Sequence, residues 1–358
     1  MADLYDEFVT PAELTGYGRA ELDTLNENQF SLSRWLPNQT IDDLRYKMES
    51  GPVGLLDVAD FRAYNAEPTF GRREGIRAIE GSLPPMGRQM TLNEYDQLIL
   101  RGSEEKVRDL LLRDSARIAN VMGRRMEVAR ADAIFNASVT IGTDAQAENG
   151  LRLTVDFNRS ASHEPAPAVL HDDPTAEALD ELISWAEIYE ATNGTRPGAI
   201  LTSERVVRVW LRNGQILSAI RGTDSTARVR RNDLDDLFSD EGLPPIYTYA
   251  GNATFADGTG TRATRRIGAD HKMALLPAPG GSTTTEGGQM GASLWGSTVE
   301  SQLPDYGVQA GEEPGIVVAS FIERKTPVRV DTIGAAIGLP IVVAPDLSLV
   351  SDVLAPAA

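Results

Sequence analysis

The chain has no cysteine. Disulfides, thiolate nucleophiles, zinc ribbons and iron–sulfur ligation are therefore excluded. Histidine is nearly absent: His163, His171 and His271 are scattered, and the first two fall in a proline-rich loop, where a metal site is one reading and exposed side chains are the stronger expectation. Of the 34 basic residues only Lys47, Lys106, Lys272 and Lys325 are lysines, and the rest are arginines. Arginine forks onto carboxylates and suits interfaces, although a GC-rich genome produces the same bias. No apolar run approaches bilayer length, so no membrane partner is expected. The opening MADLYDEFVTPAEL lacks the basic and apolar regions of a secretory signal, which fits a cytosolic origin. Aromatics make up only 6% and are not interleaved with basic residues, as base-stacking platforms require.

Enzyme motifs are equally scarce. The chain has no Gly-Lys-Ser/Thr phosphate loop, no His-Glu-x-x-His and no Gly-x-Ser-x-Gly elbow. Gly258-Thr259-Gly260-Thr261-Arg262-Ala263 fits a permissive dinucleotide pattern. Asp257 precedes it where a strand should end, and Thr and Arg follow where a helix should begin, so a hairpin tip is the better reading. The acidic pairs Asp172-Asp173 and Asp235-Asp236 sit where helix caps and solvated loops are expected. A carboxylate-dependent α/β enzyme stays open as an alternative, because carboxylates abound. No catalytic, cofactor-binding or metal-ligating residue is assigned.

What is present is acid, glycine and one long helix. The 358 residues carry a net charge of −18, and a surface that negative repels a phosphate backbone. The densest basic cluster, Arg228 to Arg231, is followed at once by Asp233, Asp235 and Asp236, and reads as a local interface patch. Hydrophobic content of 41% supports a sizeable core, in two domains or one elaborated one. Ser103 to Ala137 contains no proline and one glycine. Val107, Leu110, Leu111, Ile118, Met122, Met126, Ala129 and Ala133 recur at threes and fours, the spacing of one helix face. Arg108, Arg113, Arg117, Arg124 and Arg130 lie mostly off that face. Such a helix spans roughly 50 Å, which suits a molecule extended along a surface. A long core helix of an ordinary α+β protein fits the same pattern.

Around this spine the chain is uneven. Residues 1–57 show short helical patches broken by Leu36-Pro37-Asn38 and read as an arm. Val58 to Thr91 holds two strand-like runs about Gly71-Arg72-Arg73-Glu74-Gly75, a polar hairpin too poor in apolar residues to fold alone; a neighbouring copy is its simplest support. Leu151 to Phe157 is strand-like. Thr175 to Thr192 is an amphipathic helix closed by Asn193-Gly194. Ala199–Thr202 is a buried strand, and Ser203 caps the helix that follows. Ile246–Tyr249, Met273–Leu276, Gly315–Val330 and Leu339–Ala344 are further strands, and 279–289 is a flexible loop.

Four segments carry a family resemblance in this order: Leu36-Pro37-Asn38; Arg62-Ala63-Tyr64-Asn65-Ala66-Glu67-Pro68; Glu80-Gly81-Ser82-Leu83-Pro84-Pro85-Met86-Gly87; and Gly338-Leu339-Pro340-Ile341-Val342-Val343. The chain resembles the Hong Kong 97-type major capsid proteins of tailed bacteriophages, and most closely the lambda-type major capsid protein E family found in phages of actinobacteria. The resemblance implies an α+β fold with an N-terminal arm (1–57), an extended hairpin (58–92) and a peripheral domain with the spine helix (93–158). A mixed α/β axial domain (159–310) and a returning peripheral strand with the C-terminus (311–358) complete it. It implies assembly of copies into pentamers and hexamers, as the icosahedral shell of a virion around double-stranded DNA held only non-specifically. The hairpin residues Arg62, Tyr64, Phe70, Arg72, Arg73, Glu74 and Arg77 become the candidate inter-subunit contacts. No lysine lies in the hairpin, so no covalent cross-link is expected, and no fused scaffold is expected ahead of the arm. A separate scaffolding protein, a portal and a decoration protein are the expected partners. An encapsulin-like compartment around an enzyme cargo is the alternative in the same fold class.

Overall fold

The computed structural model describes residues 3–50, 77–100, 102–142, 151–222, 229–256, 262–280, 290–309 and 314–356. In chain order, β1 (Asp3–Leu4), α1 (Pro11–Asn28), β2 (Asn38–Ile41), β3 (Arg45–Ser50), β4 (Arg77–Ser82) and β5 (Pro85–Leu92) lead into α2 (Glu94–Ile99) and α3 (Glu104–Asn136). Then come β6 (Ser138–Ile141), β7 (Leu153–Asp156), α4 (Ala178–Asn193), β8 (Ala199–Thr202), α5 (Glu204–Trp210), α6 (Gly214–Arg221) and α7 (Arg231–Asp240). The chain closes with β9 (Ile246–Thr248), β10 (Asn252–Ala256), β11 (Arg262–Arg266), β12 (Lys272–Leu276), β13 (Gly291–Gly296), β14 (Val317–Glu323), β15 (Arg329–Val342) and β16 (Leu349–Asp352).

These elements form two compact units, each assembled from separate stretches of chain. The first holds Met1–Lys47, Glu80–Ala131 and Ala292–Ile341. Its six-stranded sheet runs β1-β14-β15-β13-β2, with β5 also paired to β15. β15 is the organiser: its sequence RVDTIGAAIGLPIV is rich in small residues. At Gly334 an added Cβ would lie 2.3 Å from Cγ2 of Ile118, so the bare backbone lets α3 settle directly onto the strand. Ile118, Met122 and Met126 of α3 then share one core with Ala336, Val318 and Trp295.

The segment expected as an arm is, through Lys47, part of this unit. Thr10 caps α1 by accepting from the Glu13 N–H, and Pro11 fills its first turn. Leu14, Leu22 and Leu25 join the first core. Thr15 fastens α1 to β14 by exchanging two hydrogen bonds with Val318, accepting at 3.0 Å and donating at 3.2 Å. On α3, a Cβ at Gly123 would meet Leu22 and Phe30 at 2.6 and 2.7 Å, so a glycine is what allows these side chains to reach the helix.

The second unit holds 48–79, 132–291 and 342–358. A four-stranded sheet, β16-β12-β8-β9, is antiparallel except for the parallel β8–β9 pair. Every residue of β8 is buried, as its unbroken apolar run requires. Trp185, Tyr189, Trp210, Phe238 and Met273 dominate the core on this sheet. Asn193 ends α4, and Gly194 takes the left-handed cap at φ 70°. The C-terminal 342–358 stretch belongs here, because β16 pairs with β12 from Lys272↔Asp352 to Leu275↔Leu349.

β3 and β4 pair as a separate two-stranded sheet. Most of the expected hairpin at 58–92, from residue 58 through 76, lies outside the described residues. β10 and β11 pair antiparallel from Asn252↔Arg266 to Ala256↔Arg262, and the stretch at 257–261 expected as a hairpin tip lies outside the described residues.

Candidate functional site

Of the candidate contact residues, Arg62, Tyr64, Phe70, Arg72, Arg73 and Glu74 lie outside the described residues. Arg77 opens β4, at the base of the hairpin. The described residues contain no group of three or more His, Asp or Glu side chains placed to hold a metal. They also contain no helix long and apolar enough to cross a membrane. The chemistry concentrates instead in two buried polar hubs and one exposed apolar helix face.

The first hub is in the first unit and centres on Arg130. It lies off the apolar face that the spacing of α3 defines, and it is buried all the same. Arg130 is only 1% exposed and Glu127 0%. Residues 126–128, 130, 131 and 133–135 are all buried, so near its C-terminal end the helix has almost no solvent face. Arg130 Nη1 lies 2.9 Å from Glu127 Oε2. Its Nε donates to Ser293 Oγ at 2.8 Å and its Nη2 to Asn38 Oδ1 at 2.5 Å. Glu127 Oε1 accepts from the Leu32 N–H at 3.1 Å. Trp295 Nε1 also donates to Asn38 Oδ1, and Ser293 Oγ to the Leu36 carbonyl, both at 2.9 Å. One buried ion pair therefore clamps α3, β13 and the Leu32–Asn38 stretch together. Removing either partner would strand a buried charge.

The second hub is in the second unit. His171 and His163 are buried at 1% and 0% exposure, contrary to the expectation of exposed loop histidines. The reason is aromatic: the His171 ring stacks on Trp185 at 5.8 Å and 11°. Trp210 Nε1 donates to His171 Nδ1 at 2.9 Å, so Nδ1 is unprotonated and Nε2–H donates to Glu181 Oε2 at 2.9 Å. Burial holds the His171 pKa below its ordinary value, against the pull of Glu181 and Asp172. His163 is lowered by burial as well, opposed by Asp346. Burial likewise raises the Tyr189 hydroxyl, which donates to the Leu347 carbonyl at 3.3 Å. Glu181 Oε1 also accepts from the Ala168 N–H at 2.7 Å. The proline-rich loop is thereby tied to α4 and α5.

The basic cluster is also used within its own unit. Arg231 Nη1 is 3.1 Å from Glu204 Oε1, and its Nε is 3.9 Å from Asp235 Oδ2.

The exposed feature is α2. Tyr95, Leu98 and Ile99 are 71%, 66% and 64% exposed, at the i, i+3, i+4 spacing that normally marks a buried face. Gln97 faces inward, donating to the carbonyls of Leu92 and Val328 at 3.0 and 3.2 Å. The spacing was visible in the sequence, but periodicity does not say which face meets solvent.

A family model described as phage major capsid protein E matches residues 52–349. No curated protein matches the chain. Among solved structures, a prophage protein of E. coli CFT073 that carries a capsid assignment is similar at TM-score 0.61 and 12% identity, covering 99% of both chains. A phage-related protein of Bordetella bronchiseptica RB50 gives TM-score 0.54 and 11% identity over the full length of both chains. The SrpI encapsulin of Synechococcus elongatus PCC 7942 gives TM-score 0.43 and 14% identity, covering 91% of this chain and 88% of its own.

Proposed function

The chain belongs to the phage major capsid protein E family, and from that premise we propose how its parts build a shell. The protein is a major capsid protein with the Hong Kong 97-type fold, and its place is the virion capsid. The family is one of structural proteins. Copies associate with one another, and we assign them to pentamers and hexamers.

In this reading residues 93–158, with the spine helix α3, and the returning strand at 311–358 form the peripheral domain, and 159–310 form the axial domain at capsomer centres. The hairpin at 58–92 reaches over an adjacent subunit, with Arg62, Tyr64, Phe70, Arg72, Arg73, Glu74 and Arg77 as its contacts. Its arginines and its lack of lysine support hydrogen-bonded and ionic overlap without isopeptide cross-links. Shells boiled in detergent should therefore run as single subunits, and a covalent ladder would contradict this. A separate scaffolding protein guides closure, a portal takes one vertex, and a decoration protein reinforces the outside. The net charge of −18 suits a container that lets DNA move without gripping it.

The observation that carries the proposal is the family match across 298 positions, from 52 to 349. Electron microscopy of the expressed chain, with its scaffold, tests it. Uniform closed shells are expected, and particles from infected lysates should contain DNA. Shells loaded with an enzyme would favour the compartment reading. A lone subunit that turns over a metabolite would contradict both.

A further inference from the structure

Among the described residues, none covers the apolar face of α2. Tyr95, Leu98 and Ile99 point outward while the polar Gln97 anchors the inner side, which inverts the usual amphipathic order. Three such side chains expose roughly 300–400 Å², taking 150–250 Å² for an aromatic residue and less for the others. A stable soluble dimer needs about 800 Å² per partner. The face is therefore too small to hold two free copies together, and its size is that of the largest apolar patch on an ordinary monomer, which is often functional. It fits a contact that forms when other interactions already hold two copies side by side.

The rim of the patch carries both signs. Glu94 begins α2, and its carboxylate accepts from the Val328 N–H at 2.9 Å. That bond brings the 324–328 connection, with exposed Arg324 and Lys325, to the same end of α2. Arg324 is within 3.7 Å of Asp3, whereas Lys325 has no ion-pair partner among the described residues. Acid and base thus flank one end of a short apolar stripe. A second copy related by a two-fold axis along α2 brings like ends together, so that each Lys325 meets the other copy's Glu94.

We propose that α2 is a homotypic contact: the Tyr95, Leu98 and Ile99 face of one copy packs on the same face of a second copy about a local two-fold axis. This rests on the shell reading above. The absence of cysteine makes the test direct. Leu98→Cys shells, oxidised after assembly, should yield covalent dimers in most subunits, while the same variant oxidised as free subunits should stay monomeric. A homotypic contact is the arrangement that sets position 98 against itself; a head-to-tail contact would leave monomers and overturn the proposal. Lys325→Glu should lower the melting temperature of assembled shells and leave that of free subunits unchanged. Equal loss in shells and free subunits would overturn the charge pairing. If the wild-type chain formed no shells, the shell reading itself would fall; shells without the dimer band would count against this contact alone.

Discussion

The two units solve the same problem, a buried polar group among apolar side chains, in opposite ways. The first uses charge: Arg130 and Glu127 sit together at near-zero exposure, each with further hydrogen bonds. The second uses neutrality: His171 is kept neutral between two tryptophans and donates its one N–H to Glu181. The difference follows from how the units are built. The first gathers three distant stretches of chain, and its clamp ties residues as far apart as Leu32, Arg130 and Ser293. The second is mostly one continuous stretch, 132–291, and its hub joins neighbours between His171 and Trp210. A buried ion pair demands all of its partners at once, and that demand suits a unit whose pieces have no local reason to meet.

The largest effect should come from Arg130→Met. It takes from the buried Glu127 its ion-pair partner at 2.9 Å, at a cost of about 3–5 kcal/mol. Hydrogen exchange should show the loss in first-unit peptides and leave β8 and β12 protected. Adding Glu127→Leu should recover a good part of it, because no charge then remains. Equal loss of protection in both units would break the contrast. In the second unit, Trp210→Phe keeps the ring and removes the donor to His171, and should cost about 1–3 kcal/mol by denaturant titration. A silent substitution would mean that packing alone holds the loop.

A smaller effect separates the units by pH. All three histidines lie in the second unit. The folded pKa values of His171 and His163 are below the ordinary 6.5. The unfolded chain therefore binds these protons more readily, and stability present above about pH 6.5 declines as pH falls below it. Asp114, in the first unit, has the opposite sign: burial raises its pKa, with Arg117 opposing, so acid favours its folded form. Second-unit peptides should lose exchange protection first between pH 7 and 5.5. Loss that begins in the first unit would contradict this assignment.

Local signals reached far but stopped at specific places. The 103–137 helix, expected from spacing alone, is found at Glu104–Asn136, because thirty-odd residues of one period outweigh any single exception. The capped strand and helix at Ala199–Trp210 were legible for the same reason. α1 was not legible as one helix, since Gly16 and Gly18 weaken its propensity and tertiary contact to β14 restores it. β13, GASLWG, was missed because it is buried throughout and has no alternation to read. β15 was read as two strands with a gap, whereas one fourteen-residue strand runs through its glycines, which α3 covers. The burial of Arg130 and His171 was not legible because periodicity and loop composition describe a single element. Their burial is decided by Ser293, Asn38, Trp185 and Trp210, which arrive from elsewhere in the sequence. The family resemblance filled the gap that local rules left, since the order of short motifs survives where spacing does not.

The central claim is that this chain acts by tiling, through a hairpin that reaches beyond its own subunit. Sedimentation velocity of the wild-type chain beside a deletion of Phe61 to Ile79, both with scaffold, tests it most directly. Wild type should sediment as closed shells, and the deletion as folded, soluble subunits that form no stable shell. Shells of normal size and stability from the deletion variant would contradict the account.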